Sequence, residues 1–469
     1  MTTTDTADLS ISEAADLVRK RKLSPIELTE ACLERIAALD GRMRAFITVT
    51  REDAMASAQQ AATAIARGNY KGPLHGIPIA LKDLFDTAGV RTTAGSKILG
   101  ERVPTEDAAA TARLRAAGAI VIGKLNMHEF AFGATGLNRH YGGTHNPWGL
   151  DRMSGGSSSG SAAAVAAGMA LGALGTDTGG SIRIPSSLCG VTGLKPTYGR
   201  VSRRGVVPLS WSLDHVGPIA RTAADAALIL KAIAGRDDGD ATSSEEPVPD
   251  YAKTLADTRL KRLRIGVPDS FFFDNVDAEC LEAIRAALFL LRDMKAEVDE
   301  VSLPHVAEAS SAVAAIMLPE ALAYHHRWLA ERPDDYGEDV RGRLELAALF
   351  PAVTYVEAKR LRTLMAEEWR TSVFERFDLL AVPTTPVAAP PLDDDGFQTT
   401  LTLTRFTGAF NLTGLPAISI PCGFTSGGLP IGLQLVGRWW EEATVLRVAH
   451  AYQQATDWHK RTPPLKQPD

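Results

Sequence analysis

Residues 154–181 constrain this chain more than any other stretch. The segment holds 8 Gly, 6 Ser and 7 Ala, so 21 of its 28 residues are tiny. Its order, SGGSSSGSAAAVAAGMALGALGTDTGGS, does not repeat, which argues against a low-complexity linker. It reads as a loop over 154–160, a helix of small residues, and a second loop over 176–181. A helix with so little side-chain bulk lets its neighbours approach the backbone closely, so it is expected in the middle of a fold. A fold that surrounds it needs a sizeable core. With 469 residues, 45% apolar and 23% charged, the chain can supply one, and that balance is globular, not disordered, fibrous or membrane-embedded.

At roughly 150 residues per domain the length suggests about three domains, but the strand pattern argues for one. Residues 1–65 read as helical and as packed on the core. Within them Ser24-Pro25-Ile26-Glu27 is a capping box with proline at the first helical position, and Leu28, Cys32, Ile36 and Leu39 recur at helical spacing. A strand over Ile77–Leu81 ends at Lys82, a helix over Thr105–Ala117 follows, and then a strand over Ala119–Ile122, the order of a sheet with crossover helices. Further strands are expected at Arg264–Pro268, Val298–Leu303, Leu379–Val382, Ala417–Pro421 and Ile431–Val436, with helices at Ala278–Met294 and through 306–370. Strands from 77 to 436 leave no room for two independent sheets, and the polar run 236–250 reads as a surface loop. The expectation is one large α/β domain over 66–460.

Composition narrows the class of function. The formal charge of −6 gives no basic surface for nucleic acid or an anionic membrane, so neither is expected as a partner. Cys32, Cys189, Cys280 and Cys422 are widely spaced, as buried thiols of a reduced compartment are. The N-terminus lacks a basic-then-apolar leader, and the longest near-apolar run, Ala162–Gly175, falls short of the ~20 residues a membrane span needs. A cytoplasmic protein is expected.

Three motifs mislead. Gly118–Lys124 nearly matches a phosphate-binding loop, but Leu125 stands where Ser or Thr would hold magnesium, and the middle residues read as strand. Gly156-Ser-Ser158-Ser-Gly160 matches a nucleophile elbow, yet a loop reading precedes it where that motif needs a strand. His325-His326 has no metal-binding pattern around it, so no metal is expected.

Thr176-Asp-Thr178-Gly179-Gly180-Ser181 carries more chemistry. Two glycines before a serine let backbone N–H groups converge on one point. Ser181 there can attack a carbonyl while the amides of Thr178, Gly179, Gly180 and Ser181 receive the oxyanion. The alternative is a tight turn with a solvent-facing serine. A serine nucleophile needs a base, and no histidine is an obvious partner. Lys82 ends an apolar strand, where an α/β sheet presents functional groups, and burial can render it neutral. An ion pair with Asp83 is the other reading of Lys82, and it stays open.

Four linked motifs then carry a resemblance: Pro78-Ile-Ala-Leu-Lys82-Asp83, Gly155-Gly-Ser157-Ser-Ser-Gly-Ser161, Gly175-Thr-Asp-Thr-Gly-Gly-Ser181-Ile-Arg183 and Gly190-Val-Thr-Gly-Leu-Lys-Pro-Thr197. With 75 residues from Lys82 to Ser157 and 24 from Ser157 to Ser181, the chain resembles the amidase signature family from about residue 10 to 455. The resemblance implies an α/β/α domain around a large mixed sheet and a Ser–cis-Ser–Lys triad. Ser181 matches its nucleophile, Ser157 its bridging serine beside an unusual cis peptide, and Lys82 its base. It further implies an acyl-enzyme, a small-molecule carboxylic amide, carbamate or hydrazide as substrate, no cofactor, and a homodimer as the assembly to look for. Asp177 and Arg183 are expected to fix the loop and not to react.

Within the family one branch, the A subunit of tRNA-dependent amidotransferases, is similar at Thr144–Arg152 and Lys195–Arg203. Gly136-Leu137-Asn138 departs from that branch, and no acidic residue near Thr404–Thr407 matches its ammonium site. Arg362 is the candidate for its carboxylate-binding arginine. The reading therefore favours a free-standing amidase, with the A subunit of a tRNA-dependent amidotransferase as the alternative. The pocket is expected from Met127, Ala131 and Phe132 and from a variable helical region at about 305–410, with Met317, Leu318, Tyr324 and Phe406 adding apolar surface.

Overall fold

The computed structural model describes residues 6–394 and 396–465, so residues 1–5 of the expected N-terminal segment lie outside the described residues. Its centre is one 11-stranded sheet. In chain order the strands are β1 (Phe46–Val49), β2 (Pro78–Lys82), β3 (Ile120–Leu125), a separate hairpin of β4 (His145–Asn146) and β5 (Gly149–Met153), then β6 (Gly172–Asp177), β7 (Thr192–Lys195), β8 (His215–Ala220), β9 (Arg264–Pro268), β10 (Glu297–Val301), β11 (Leu379–Pro383), β12 (Ala417–Phe424) and β13 (Pro430–Gly437). They pair in the order β1-β3-β2-β6-β8-β7-β12-β13-β11-β9-β10. β2 runs parallel to both β3 and β6, whereas β6–β8, β7–β8 and β12–β13 are antiparallel. The sheet is thus mixed, as expected, and the fold class is α/β.

The small-residue segment occupies the middle of this sheet. Helix α3, counted after α1 (Ile11–Arg19) and α2 (Pro25–Met43), spans Ser159–Ala166, and every one of its residues is buried. At Gly160 an added Cβ would collide with the carbonyl of Ala45 and approach Asn126 N and O within 2.8 and 2.7 Å, so only glycine lets α3 lie this close to that loop. The structure differs from the sequence reading just beyond. Residues 172–177, read as the end of the helix and the start of a loop, form β6. Gly-Ala-Leu-Gly shows no alternation because both faces of the strand are covered, with Gly172 against Ile229 and Gly175 against Ser158.

β7 and β8 escaped the sequence reading for a related reason: each is wholly buried, and glycine, proline or polar residues break up its apolar run. β1 interrupts the segment read as helical throughout, and the helix read from Thr105 begins only at Ala109. β4 and β5 form a hairpin where a loop was expected.

α2 begins as its capping box predicts: Ile26 N–H donates to Ser24 Oγ at 3.2 Å and Ser24 N–H to Glu27 Oε2 at 2.8 Å. Its apolar face joins the core formed with β2, through Leu28, Cys32 and Leu33 against Ile79, Ala80 and Leu81. Each such buried aliphatic side chain contributes on the order of 2 kcal/mol. All four cysteines are buried free thiols.

A helical region covers one face beyond β10: α4 (Ala309–Glu331), α5 (Glu338–Ala347) and α6 (Ala352–Glu368). The stretch Val306–Glu331 is long and apolar enough to cross a membrane by length and composition alone. Here Val313, Ile316, Leu318 and Ala321 are buried against the rest of the protein.

Candidate functional site

Lys82 is the last residue of β2, and β2 pairs on one side with β6. The register brings its side chain under the small-residue segment. Lys82 Nζ donates to Ser157 Oγ at 2.7 Å and to Thr176 Oγ1 at 2.9 Å. Both Lys82 and Ser157 are fully buried. The Gly156–Ser157 peptide is cis, and the Ser157 carbonyl accepts from His128 N–H at 3.1 Å. Ser181 lies beside them, its carbonyl accepting from Ser158 N–H at 3.3 Å, and its side chain lines a cavity.

Asp83 is not the partner of Lys82. It pairs with Lys124, Nζ to Oδ1 at 3.2 Å, both groups buried, and its Oδ2 accepts from Thr93 Oγ1 at 2.5 Å. Among the described residues Lys82 therefore has no direct counter-ion, and burial lowers its pKa to about 7 against the upward pull of the Asp214 and Asp177 carboxylates. Near neutral pH a substantial fraction of this lysine is free amine, able to accept a proton. Lys124, the lysine of the apparent phosphate loop, belongs to this structural pair at the end of β3.

The turn before Ser181 is fixed from below. Arg183 Nη2 donates to Asp177 Oδ1 at 2.8 Å and Nε to Oδ2 at 3.0 Å, with both residues buried. Burial opposes the Asp177 charge, but the Arg183 guanidinium and the Asn411 amide hold its carboxyl well below the usual range. Arg183 also reaches Gln434 Oε1 at 2.6 Å and Thr407 O at 3.0 Å, which ties the turn to β13 and the chain beyond the helical region. Asp177 and Arg183 are the loop-fixing pair the sequence suggested.

One of the four expected oxyanion donors is committed elsewhere: Gly180 N–H donates to Asp177 Oδ1 at 2.8 Å. Gly180 has φ +137°, a conformation that glycine tolerates, and its missing side chain leaves room for Thr407 and Ile184. The amides of Thr178, Gly179 and Ser181 remain of the four expected donors.

The cavity measures about 660 Å³. Ala131, Phe132, Thr178, Gly179, Ser181, Met317 and Leu318 line it. Phe130 and Ala131, at φ 48° and 59°, turn the chain by consecutive left-handed residues before Phe132. Met127 does not reach the cavity. Its side chain packs beside Gly95, and its carbonyl accepts from Asn138 Nδ2 at 2.8 Å. Tyr324 and Phe406 are also elsewhere. Tyr324 packs edge-on against His325 and Trp328, and Phe406 is buried against Phe271 and Phe272.

Arg362 is not in the cavity either: Nη1 donates to Ser212 O at 3.0 Å and the guanidinium covers the Tyr198 ring. The cavity's cations are Arg343, on α5, and Arg405. Arg343 Nη1 donates to Phe132 O and approaches Asp339 Oδ2 at 3.4 Å, and Asp339 in turn meets His128 Nε2 at 2.8 Å. A second link joins Gly337 N–H to Glu129 Oε2 at 2.8 Å. These contacts dock α5 on the loop that carries Phe132. Nothing in the local sequence of α5 marks Arg343, because its place depends on that docking. Among the described residues no carboxylate lines the cavity.

Two other grooves, of about 670 and 620 Å³, have polar linings and include none of Lys82, Ser157 and Ser181. Among the described residues no group of three or more His, Cys, Asp or Glu side chains is placed to hold a metal ion.

A large mixed sheet presenting a buried lysine–serine contact and a second serine on a glycine turn is a frame suited to acyl transfer. The chain belongs to the Amidase family, enzymes that hydrolyse amides, and the family's model matches residues 27–446. It is 46% identical over 483 residues to the A subunit of glutamyl-tRNA(Gln) amidotransferase of Roseiflexus sp. (strain RS-1), an alignment covering 97% of this chain and 98% of that protein. The crystal structure of the A subunit of glutamyl-tRNA(Gln) amidotransferase from Thermotoga maritima superposes with a TM-score of 0.85 at 34% identity, covering 99% of each chain. The native peptide amidase from Stenotrophomonas maltophilia gives a TM-score of 0.87 at 34% identity, covering 97% of this chain and 98% of that one.

The relatives overturn one expectation. A partner set limited to a small amide, with nucleic acid excluded, does not stand beside relatives named as subunits of a tRNA amidotransferase. The exclusion rested on net charge. A sum of −6 reports the average surface of one chain, not what an assembly containing it binds.

Proposed function

We propose that this chain is the amide-hydrolysing A subunit of a glutamyl-tRNA(Gln) amidotransferase, releasing ammonia from the side-chain amide of glutamine through an acyl-enzyme on Ser181. The observation that carries the chemistry is the buried contact of Lys82 Nζ with Ser157 Oγ at 2.7 Å. Full-length similarity to A subunits supports the choice of assembly. Neutral Lys82 accepts the proton of Ser157 as Ser157 accepts that of Ser181. Ser181 Oγ attacks the amide carbon, and the N–H groups of Thr178, Gly179 and Ser181 receive the oxyanion. Return of the proton through Ser157 lets the C–N bond break and ammonia leave. Water, deprotonated by the same relay, then attacks the ester, releases glutamate and restores Ser181.

Arg343 is the group suited to the donor's carboxylate, because its guanidinium stands in the cavity lining, held through Nη1 by the Phe132 carbonyl, and keeps a second nitrogen, Nη2, to donate from. With no carboxylate among the described residues of the lining, the donor's ammonium is expected to matter little. Glutaramate, which lacks the ammonium, should then be turned over within about tenfold of glutamine, about 1.4 kcal/mol.

The test is ammonia release from glutamine by the purified chain, alone and with B- and C-type subunits and glutamylated tRNA. Transfer of the ammonia to the charged tRNA, lost in Ser181→Ala, is the expected result. Amide hydrolysis that neither responds to these subunits nor feeds amidation of the tRNA would refute the assembly while leaving the triad standing.

A further inference from the structure

Asp214 precedes β8 by one residue, and its neighbour His215 pairs across the sheet with Asp177. Its side chain is almost wholly removed from solvent, at 7% exposure. Among the described residues its carboxylate has no ion-pair partner. It accepts hydrogen bonds from neutral groups only: Thr178 Oγ1 to Oδ1 at 2.6 Å, Leu209 N–H to Oδ2 at 2.9 Å, and Ser210 N–H to Oδ2 and Oδ1 at 3.1 and 3.2 Å.

These donors come from the two segments that meet at Ser181. Thr178 belongs to the glycine turn, and Leu209 to the cavity wall, where both are lining residues. A buried carboxylate held by neutral donors alone is costly, and a hydrophobic or amide residue would fill the space at less cost if packing were its only role.

The charged groups around it give the carboxylate a direction. Lys82, at the end of β2, and Arg203, before β8, are the cations that act on or are acted on by Asp214. Lys82 and Asp214 hold the same turn, Lys82 Nζ donating to Thr176 Oγ1 at 2.9 Å and Thr178 Oγ1 to Asp214 Oδ1 at 2.6 Å, and Asp177, at the end of β6, is the other carboxylate there. From α4, Glu320 reaches the same loop through Ser210 Oγ at 2.6 Å and Ser212 Oγ at 2.7 Å.

We propose that Asp214 is a positioning residue for the amide hydrolysis: it locks Thr178 so that the N–H groups of Thr178 and Gly179 face the cavity, and it places a carboxylate on the turn whose Thr176 receives Lys82 Nζ. Nothing passes through Asp214 chemically. The proposal rests on the reading of Lys82 as the base. Burial alone drives the lysine towards neutrality, and the carboxylate restrains that drive so that the amine stays basic enough to take a serine proton.

The experiment is a set of pH–rate profiles for amide hydrolysis by wild type, Asp214→Asn, Asp214→Glu and Thr178→Val, with Lys82→Ala as control. Removing the charge should lower the pH at which Lys82 gives up its proton, so the acid limb of kcat/KM in Asp214→Asn should move to lower pH. Asn also presents an N–H₂ to N–H and O–H donors, so kcat should fall about 10- to 100-fold, the scale of a disturbed oxyanion donor, with KM little changed. Asp214→Glu should keep the wild-type limb. Thr178→Val keeps the charge and loses the hydrogen bond, so its kcat should fall with the limb unmoved. It carries the test if Asp214→Asn fails to fold.

An unmoved limb and full kcat in Asp214→Asn, or full kcat in Thr178→Val, would overturn the proposal. A fully active Lys82→Ala would instead strike the triad, so the two failures are distinguishable.

Discussion

Two regions build the cavity, and they differ in how their sequence specifies them. Its floor is the segment from Ser154 to Arg183 with Lys82 beneath it, where nearly every residue is buried and backbone approaches are as close as glycine and serine allow. Its walls come from α4, α5, the loop after β3 and residues 397–408, where long side chains are found, with the exposed Leu349, at 76% exposure, just beyond α5. In the floor the chemistry depends on backbone geometry, which local sequence encodes. In the walls it depends on which helix docks where, which local sequence does not encode. The floor should therefore set whether an amide is cleaved, and the walls which amide.

The largest effect expected of that contrast is at Ser181. Ser181→Ala should lower kcat by about 10⁴-fold or more, the scale for loss of a nucleophile, while thermal melting stays near wild type because the side chain faces the cavity. Steady-state ammonia release together with a melting curve separates the two.

Next is Gly160. A valine there would be driven against Ala45 and Asn126, and urea unfolding should show a loss of about 3 kcal/mol, the upper range for overpacking. A Gly160→Val protein as stable as wild type would break the account of the floor as space-limited.

Third is a wall residue. Arg343→Met should raise KM for glutamine about 10- to 100-fold, the worth of a charge-assisted hydrogen bond of ~1.5–3 kcal/mol, with kcat reduced far less. A kcat loss with unchanged KM would move Arg343 from the walls to the floor.

The pH dependence sharpens the same contrast. In the proposed relay the active form of Lys82 is the neutral one, so kcat/KM should fall about tenfold per unit below pH 7 and level off above it, given the pKa of about 7. The smallest effect is expected on the outer wall, where Leu349→Ser should change stability by less than about 0.5 kcal/mol and leave turnover unaltered.

This division also explains what could be read from the chain beforehand. The contact of Lys82 with Ser157 and the glycine turn before Ser181 were legible because each lies in a motif whose small neighbours are themselves part of the geometry. Strands β9, β11 and β13 were legible from short apolar runs between turn residues. β6 and β8 were not, because strands covered on both faces and rich in Gly or Pro lose the alternation that marks a strand. Among the wall residues, Ala131, Phe132, Met317 and Leu318 line the cavity, whereas Met127 points into the core and Arg362 towards Tyr198. Arg343 carried no signal at all, since its place depends on the contacts of α5 with His128, Glu129 and Phe132 across more than 200 residues of chain. The exclusion of nucleic acid failed for a different reason: net charge was asked a question about an assembly.

The central claim is that Lys82, through Ser157, drives acylation of Ser181. It is tested most directly by rapid quenching during turnover of a labelled amide, followed by peptide mass mapping. The account predicts an acyl mass on the peptide containing Ser181, absent in Ser181→Ala and formed at least ~100-fold more slowly in Lys82→Ala, as expected when a nucleophile loses its base. An acyl group on another residue, or full-rate acylation of Ser181 in Lys82→Ala, would contradict it.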